Sequence, residues 1–371
     1  ILKEMDKSRR RFLWAQDDEL SGGKCKVSWE KVCSPLDRGG LGLLDLHKFN
    51  RALRLRWQWL AWARPDKPWV AVTPTPDDHE RALFGKATSI QVGNGNKANF
   101  WKDSWIGDEP LSTAFPAMFS HARRKNRSVR MALANEQWIS YLQHGDTAAI
   151  APQFLQMWRL IDAARITMAP DQEDEMTWKL TREGTYTAKS AYQMQCQQAP
   201  NPVYNSFIWK VWAPNKLKMF MWLLMKDRLW CNDRLQRRGW PNGYFCPLCT
   251  RNLETSMHLI WSCSFSQLVW GSCANWSGCS SLAPAMASRL SSAQTCQLLI
   301  NKTASAYRRG IRLLIVMIAW ELWRERNHCV FRAKTPRVDD VLNAIRSNIE
   351  QWRLAGAKCL ESPFGDTISE N

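Results

Sequence analysis

The chain has 371 residues and a formal net charge of +17, long enough for two or three domains with ample cores. Its twelve cysteines are too sparse for a disulfide-built scaffold and show no regular framework, which points to a reducing compartment, nucleus or cytoplasm. The longest apolar run, Leu313 to Trp320, is eight residues against the about 20 that a membrane span needs, so no membrane segment is expected.

The charge is uneven. Residues 1–70 carry fifteen Lys and Arg against nine Asp and Glu, residues 71–200 fourteen against fourteen, and residues 201–371 twenty-two against eleven. Such an excess favours polyanions, chiefly nucleic acid, through phosphate neutralisation and counterion release. The chain opens on Ile1 with charged residues behind it, without a secretory leader and without Met, as a piece of a longer product would.

Residues 1–20 read as an amphipathic basic helix broken by Ser21-Gly-Gly, and Val27 to Cys33 as a second short element. Pro35 to Gly42 is a turn-rich connection. Phe49, Leu53, Trp57 and Leu60 recur at helical spacing, which predicts a helix from about Leu46 to Ala63, ended by Pro65 and Pro68. Val92-Gly-Asn-Gly-Asn reads as a hairpin turn between strands at Ser89–Val92 and Ala98–Trp101. It lacks the Lys-Ser/Thr of a phosphate loop. The basic run His121 to Arg130, with Arg123, Arg124, Lys125, Arg127 and Arg130, reads as an exposed loop, with a localisation signal or phosphate contact as the alternative. A helix over Gln153–Ala164, a small β pair of Met176–Leu180 with Thr185–Thr187, and a helix over Ala188–Gln195 come next. Gln197 to Pro202 marks a boundary.

Pro214 suits the first turn of a helix running to about Lys226, and Asn232 is a candidate N-cap for a second helix to Arg238. Between Lys210 and Arg238 stand Lys210, Lys216, Lys218, Lys226, Arg228, Arg234, Arg237 and Arg238 against two aspartates. This basic helical pair is the expected nucleic-acid surface. The tryptophans among them are expected to pack in a core, and Trp240, before Pro241-Asn-Gly, is the best candidate for base stacking.

Cys246, Cys249, His258 and Cys263 have the spacing C-x2-C-x8-H-x4-C. A C-x2-C turn aims two thiolates at one centre, and Glu254 to Trp261 reads as a short helix that presents His258. Three soft thiolates and one imidazole suit a single tetrahedral Zn²⁺ ion in a closed, structural site, because four protein ligands leave no open position for substrate. Residues 271–305 read as a linker around short helices, Ala304–Phe331 as a long helix with an apolar centre, and Val338–Ala355 as an amphipathic helix. The last dozen residues are expected to be disordered. The fold class is mainly α with small β hairpins, a multi-part chain with a compact helical zinc-knuckle module.

The residues around the knuckle also carry a resemblance. Trp209, Trp212, Pro214, Lys216, Lys218, Phe220, Trp222, Leu223, Arg228, Leu229, Arg234 and Leu235 lead into it, and Glu254, Thr255, His258, Leu259, Cys263 and Trp270 complete the pattern. This resembles the zinc-binding domain that comes after the reverse transcriptase in plant non-LTR (LINE-type) retrotransposons. The phrase from Pro35 to Leu46, the stretches Val92–Gly107 and Asp174–Tyr192, and Trp320 to Phe331 are similar to segments that flank that domain. The resemblance implies four stretches: residues 1–70, a helical remnant of the polymerase thumb and C-terminal region; 71–200, a mixed α/β linker region; 201–275, the zinc-binding domain; and 300–357, a C-terminal helical region. In such a thumb, Arg51, Arg54 and Arg56 would meet a nucleic-acid backbone or form a solvated helix face.

A polymerase centre needs metal-binding carboxylates on a hairpin. The Asp-Asp pairs, Asp17-Asp18, Asp77-Asp78 and Asp339-Asp340, lie in no such context. A ribonuclease H would need acidic residues spread on a mixed sheet. No catalytic residues and no enzyme activity are therefore expected. The reading is a zinc- and nucleic-acid-binding portion that holds template RNA or target DNA. The alternatives are a zinc-scaffolded module for a protein partner, docked through the C-terminal helices, or a decayed element product.

Overall fold

The computed structural model describes residues 1–15, 24–72, 74–142, 150–196, 202, 204–282 and 290–360. The Ser21-Gly-Gly break, the Asp17-Asp18 pair, most of the Gln197–Pro202 boundary and the chain beyond Leu360 lie outside the described residues. Internal contacts divide the chain into two units, Ile1–Leu43 with Ala199–Asn371, and Leu44–Gln198. Helices dominate both, and among the described residues the one sheet has two strands.

The chain begins with α1 (Leu2–Trp14) and α2 (Trp29–Cys33) in the first unit. The second unit then runs through α3 (Leu46–Ala63), α4 (Asp78–Ala87), β1 (Thr88–Gln91), the short α5 (Leu111–Ala114), α6 (Pro116–His121), α7 (Val129–Leu133) and α8 (Gln137–Ser140), α9 (Ala151–Ala164), β2 (Glu175–Trp178) and α10 (Ala188–Met194). α3 starts where Asp45 accepts the backbone N–H groups of His47 and Lys48. α4 starts on a capping box of Asp77 and Glu80, which is the use the fold makes of the Asp77-Asp78 pair. Arg54 of α3 forks onto Glu80 at 2.5 and 3.1 Å, so it serves an internal ion pair. Trp178 is the centre of this core, packed by Trp59, Phe84 and Tyr186, with its indole N–H donated to Ser190 Oγ at 2.8 Å.

The strands pair differently from the two local hairpins expected. Thr88–Gln91 lies antiparallel to Glu175–Trp178, with Thr88 opposite Trp178 and Gln91 opposite Glu175. The cause is Asp174. Its carboxylate accepts the N–H groups of Gly93, Gly95, Lys97 and Ala98 at 2.8–2.9 Å. The Gly93–Ala98 loop is thus a nest of donors closed on a distant carboxylate, and it draws β2 beside β1. Gly93 has no room for a Cβ, which would stand 2.4 Å from the Gln172 carbonyl oxygen.

The first unit resumes with α11 (Asn205–Trp209), α12 (Asn215–Met225), α13 (Asn232–Gln236), α14 (Ser264–Trp276), α15 (Ser292–Asn301), α16 (Arg308–Arg332) and α17 (Val338–Leu354). Leu313 to Ala319 is apolar at every position, and a helix apolar all round must be enclosed. α16 is accordingly wrapped by α12, α14, α15 and α17, with those seven residues fully buried. The expected linker over 271–305 is in part helix: α14 continues to Trp276, and α15 starts on a capping box of Ser291 and Gln294 and buries Cys296, Leu299 and Ile300. Polar Ser and Gln residues masked that face in the sequence. Asp339 and Asp340 lie in the first turn of α17, where carboxylates suit the positive end of the helix.

The turn at Pro35–Gly42 is clipped to α12 and α11. The Trp222 indole N–H donates to Gly39 O at 2.9 Å, and Asn205 Nδ2 donates to Asp37 O at 2.6 Å. Gly40 is obligatory there, since a Cβ would fall 1.8 Å from Ser34 O. Residues 24–43 therefore share the core of the unit that carries the metal ligands.

Candidate metal centre

The knuckle is a short loop closed on itself. Phe245 and Leu253 bridge, Cys246 N–H donates to Asn252 O at 2.8 Å, and Thr250 N–H donates to Cys246 O at 2.8 Å. Thr250 turns the chain with φ at +55°. The N–H groups of Leu248 and Cys249 are aimed at the Cys246 sulfur. His258 opens a π-helical turn, His258–Ser262, in which Cys263 N–H reaches back five residues to His258 O at 2.7 Å. This wide turn replaces the plain helix expected there, and such insertions are common at functional sites. Cys263 is the N-cap of α14, so its sulfur lies at the positive end of that helix.

These elements bring together all four predicted ligands. The donor atoms of Cys246, Cys249, His258 and Cys263 lie within 4.8 Å of one another. Cys246 Sγ is 3.9 Å from Cys263 Sγ, and Cys249 Sγ is 3.2 Å from His258 Nε2. A tetrahedral zinc ion with Zn–S of about 2.3 Å and Zn–N of about 2.0 Å spaces its ligand atoms at about 3.5–3.8 Å. The residues present therefore fit such an ion, and once all four are bound no position is left for a substrate.

The ligand groups share protons, and a bound cation would displace them. The Cys263 thiol is pulled down, first by the hydrogen bond from Cys246 and then by His258, and Cys246 is raised by the same contact. His258 is raised by its bond to Cys263 and, less, by Cys249. Cys246 and Cys263 are fully buried, whereas Cys249 and His258 are half-buried at the rim.

A second cluster holds the knuckle in place, and its role was not read from the sequence. Glu254 is fully buried and takes a fork from Arg326 of α16, at 2.6 and 2.8 Å. The same carboxylate accepts Asn232 N–H at 2.8 Å, while Asn232 Nδ2 donates to Phe245 O at 3.0 Å. Asn232 is thus the first residue of α13 rather than its N-cap, which is Cys231. One carboxylate ties the knuckle, α13 and α16 together. Glu254 and Arg326 stand 72 residues apart, each among polar and charged neighbours in the sequence, so no local signal pairs them.

Residues 186–270 match the family described as zinc-binding in reverse transcriptase. The match bears out the resemblance read around the knuckle. Two plant proteins are also similar to this chain. One, from Arabidopsis thaliana, carries a provisional ribonuclease H name and is 25% identical across 73% of this chain and 47% of its own length. The other is an uncharacterised mitochondrial protein of Arabidopsis thaliana, 26% identical across 29% of this chain and 85% of its own. The chain thus spans about half the length of the first relative.

Within and beside the stretch that matches this family, the basic residues take different positions. Lys210, Lys216, Arg228 and Arg237 are exposed, and Lys218 and Arg238 are half-buried. Lys216 lies over Trp320, 5.0 Å from the ring centre. Lys226 packs on Tyr204 and Trp222. Arg234 is buried against Trp230, and Arg237 pairs with Asp233. Trp240 is 37% exposed and leans on Trp230 at 5.1 Å, while Arg238 lies over both rings. Trp222 is fully buried, as core packing predicts.

Sequence reasoning missed Lys26 and Lys31, which the fold of residues 24–43 adds to the group. Burial and then the charge of Arg234 lower Lys26. Burial and then Lys31 and Arg228 lower Lys226. Arg234 is lowered by burial and then by Arg228 and Arg238. No spacing rule connects residues 26 and 31 with 226–238, so only the tertiary fold shows this crowding.

Among the described residues, no helix is long and apolar enough to cross a membrane.

Proposed function

We propose that this chain is the zinc-scaffolded, nucleic-acid-binding portion of a plant retrotransposon reverse-transcriptase-like protein, acting in the nucleus or cytoplasm. It holds template RNA or target DNA and has no catalytic centre of its own. The carrying observation is the basic excess of residues 201–371, twenty-two Lys and Arg against eleven Asp and Glu, in the unit that holds the metal ligands, with Lys210, Lys216 and Arg228 exposed. Exposed cations in such excess suit a phosphate backbone, which supplies the counter-charge. The Cys3His set gives zinc a scaffolding role, because it leaves no open coordination position.

The ribonuclease H name belongs to a relative of which this chain spans about half. Among the described residues, the sheet has two antiparallel strands, which offer no mixed sheet for a spread acidic set. The apolar face of α17, with Val341, Ile345 and Ile349, is buried within the chain against α14 and α16, so no observation favours the protein-partner reading.

The test is charge removal at two exposed positions. The double variant Lys31→Gln, Arg228→Gln should keep its zinc and its melting temperature. Its plot of log affinity against log salt should flatten by about one for each phosphate that is no longer neutralised. An unchanged slope with intact zinc would count against this surface.

A further inference from the structure

A groove of about 860 Å³ opens beside the metal centre, between the knuckle, the end of α13 and the C-terminal end of α16. Its walls include Trp230, Trp240, Phe245, Trp323 and Phe331. Phe245 is 50% exposed and Phe331 76%, so large aromatic faces meet solvent. The volume falls within the about 300–1,000 Å³ of ordinary ligand pockets. Among the described residues no carboxylate lines it, and the one lining cation, Arg326, is committed to Glu254. Arg238 stacks over Trp230 and Trp240 on one wall. Arg251 and Arg332, next in the chain to the lining residues Thr250 and Phe331, are both exposed.

We propose that this groove receives unstacked bases of a single-stranded nucleic acid, with Trp240, Phe245 and Phe331 as stacking faces and Arg238, Arg251 and Arg332 meeting the adjoining phosphates. This deepens the nucleic-acid reading and rests on it. Aromatic faces inside a cationic, carboxylate-free surround are complementary to a base flanked by phosphates. A paired duplex hides the faces of its bases and cannot use such walls. The groove therefore selects strand state, while the crowded lysines and arginines supply affinity for any polyanion.

The test uses the zinc-loaded full chain with labelled twelve-nucleotide RNA and DNA single strands and the matching DNA duplex, at low salt. Trp240→Ala and Phe331→Ala should each weaken binding to at least one of the single strands by about five- to 150-fold, the range for loss of one stacked base. Duplex binding should change less than about twofold, and Trp240→Phe should keep most single-strand affinity. Phe331 is so exposed that its alanine variant should fold normally, which guards against misfolding at Trp240. Single-strand binding that is salt-sensitive but indifferent to both alanines would overturn the groove and leave the broader reading standing. Failure of the wild-type chain to bind any of the three would sink both.

Discussion

Cys249 is the half-buried thiolate of the centre, and its half-buried partner is His258 at 3.2 Å. Its removal should cost the ion without opening the core. Cys249→Ser is expected to drop zinc well below one equivalent and to lower the melting temperature, because metal binding energy is folding energy in such modules. Metal content after gel filtration checks this, and full stoichiometric zinc would contradict it. Glu254 and Arg326 make a different case. Glu254→Gln leaves the buried Arg326 guanidinium without its counter-charge, at a cost of about 3–5 kcal/mol. Replacing both, as Glu254→Leu with Arg326→Met, should cost less than Glu254→Gln alone. Urea denaturation of the zinc-loaded variants decides this, and a double variant weaker than the single would show that the carboxylate's bond to Asn232 matters more than the ion pair.

Asp174 shows how one side chain can set an element's partner. Burial raises its carboxyl, but four backbone N–H bonds together outweigh this and leave it below the ordinary range. A depressed carboxyl stabilises the fold above its unfolded value of about 3.9, and that contribution disappears as pH falls through the folded value. Stability monitored in the second unit should therefore fall as pH drops below about 4, and Asp174→Asn should weaken it at pH 7 and flatten that acid response. An acid response identical to wild type would remove Asp174 from this role. The helices were legible where apolar residues recur at one period, as in α3, α9 and α17, or run unbroken, as in the centre of α16, and all four lie within a few residues of the stretches read. The metal ligands were legible because their chemistry is local in sequence. The strand partners were not, since β1 and β2 meet through a carboxylate about eighty residues from the loop that binds it. Residues 271–305 read as a linker around short helices, and α15 is one of them, but its bounds were not legible because its buried face mixes Thr295 and Cys296 with Leu299 and Ile300.

At the scale of the molecule, the uneven charge acquires a location. Residues 71–200 are electrically balanced, and the largest excess, that of residues 201–371, falls in the unit with the metal ligands, to which residues 1–43 add nine Lys and Arg against seven Asp and Glu. The N-terminal basic residues looked separate in the sequence because nothing local links residues 24–43 to the knuckle. The Gly39–Trp222 and Asp37–Asn205 bonds make that link. The most direct measurement is the affinity of the zinc-loaded chain for single-stranded RNA and duplex DNA across salt, repeated after a chelator has removed the metal. If about four phosphates are neutralised, single-strand affinity should fall about 50-fold between about 50 and about 200 mM salt and be lost without zinc. A chain that keeps its zinc yet binds neither nucleic acid at the lowest salt would contradict the assignment.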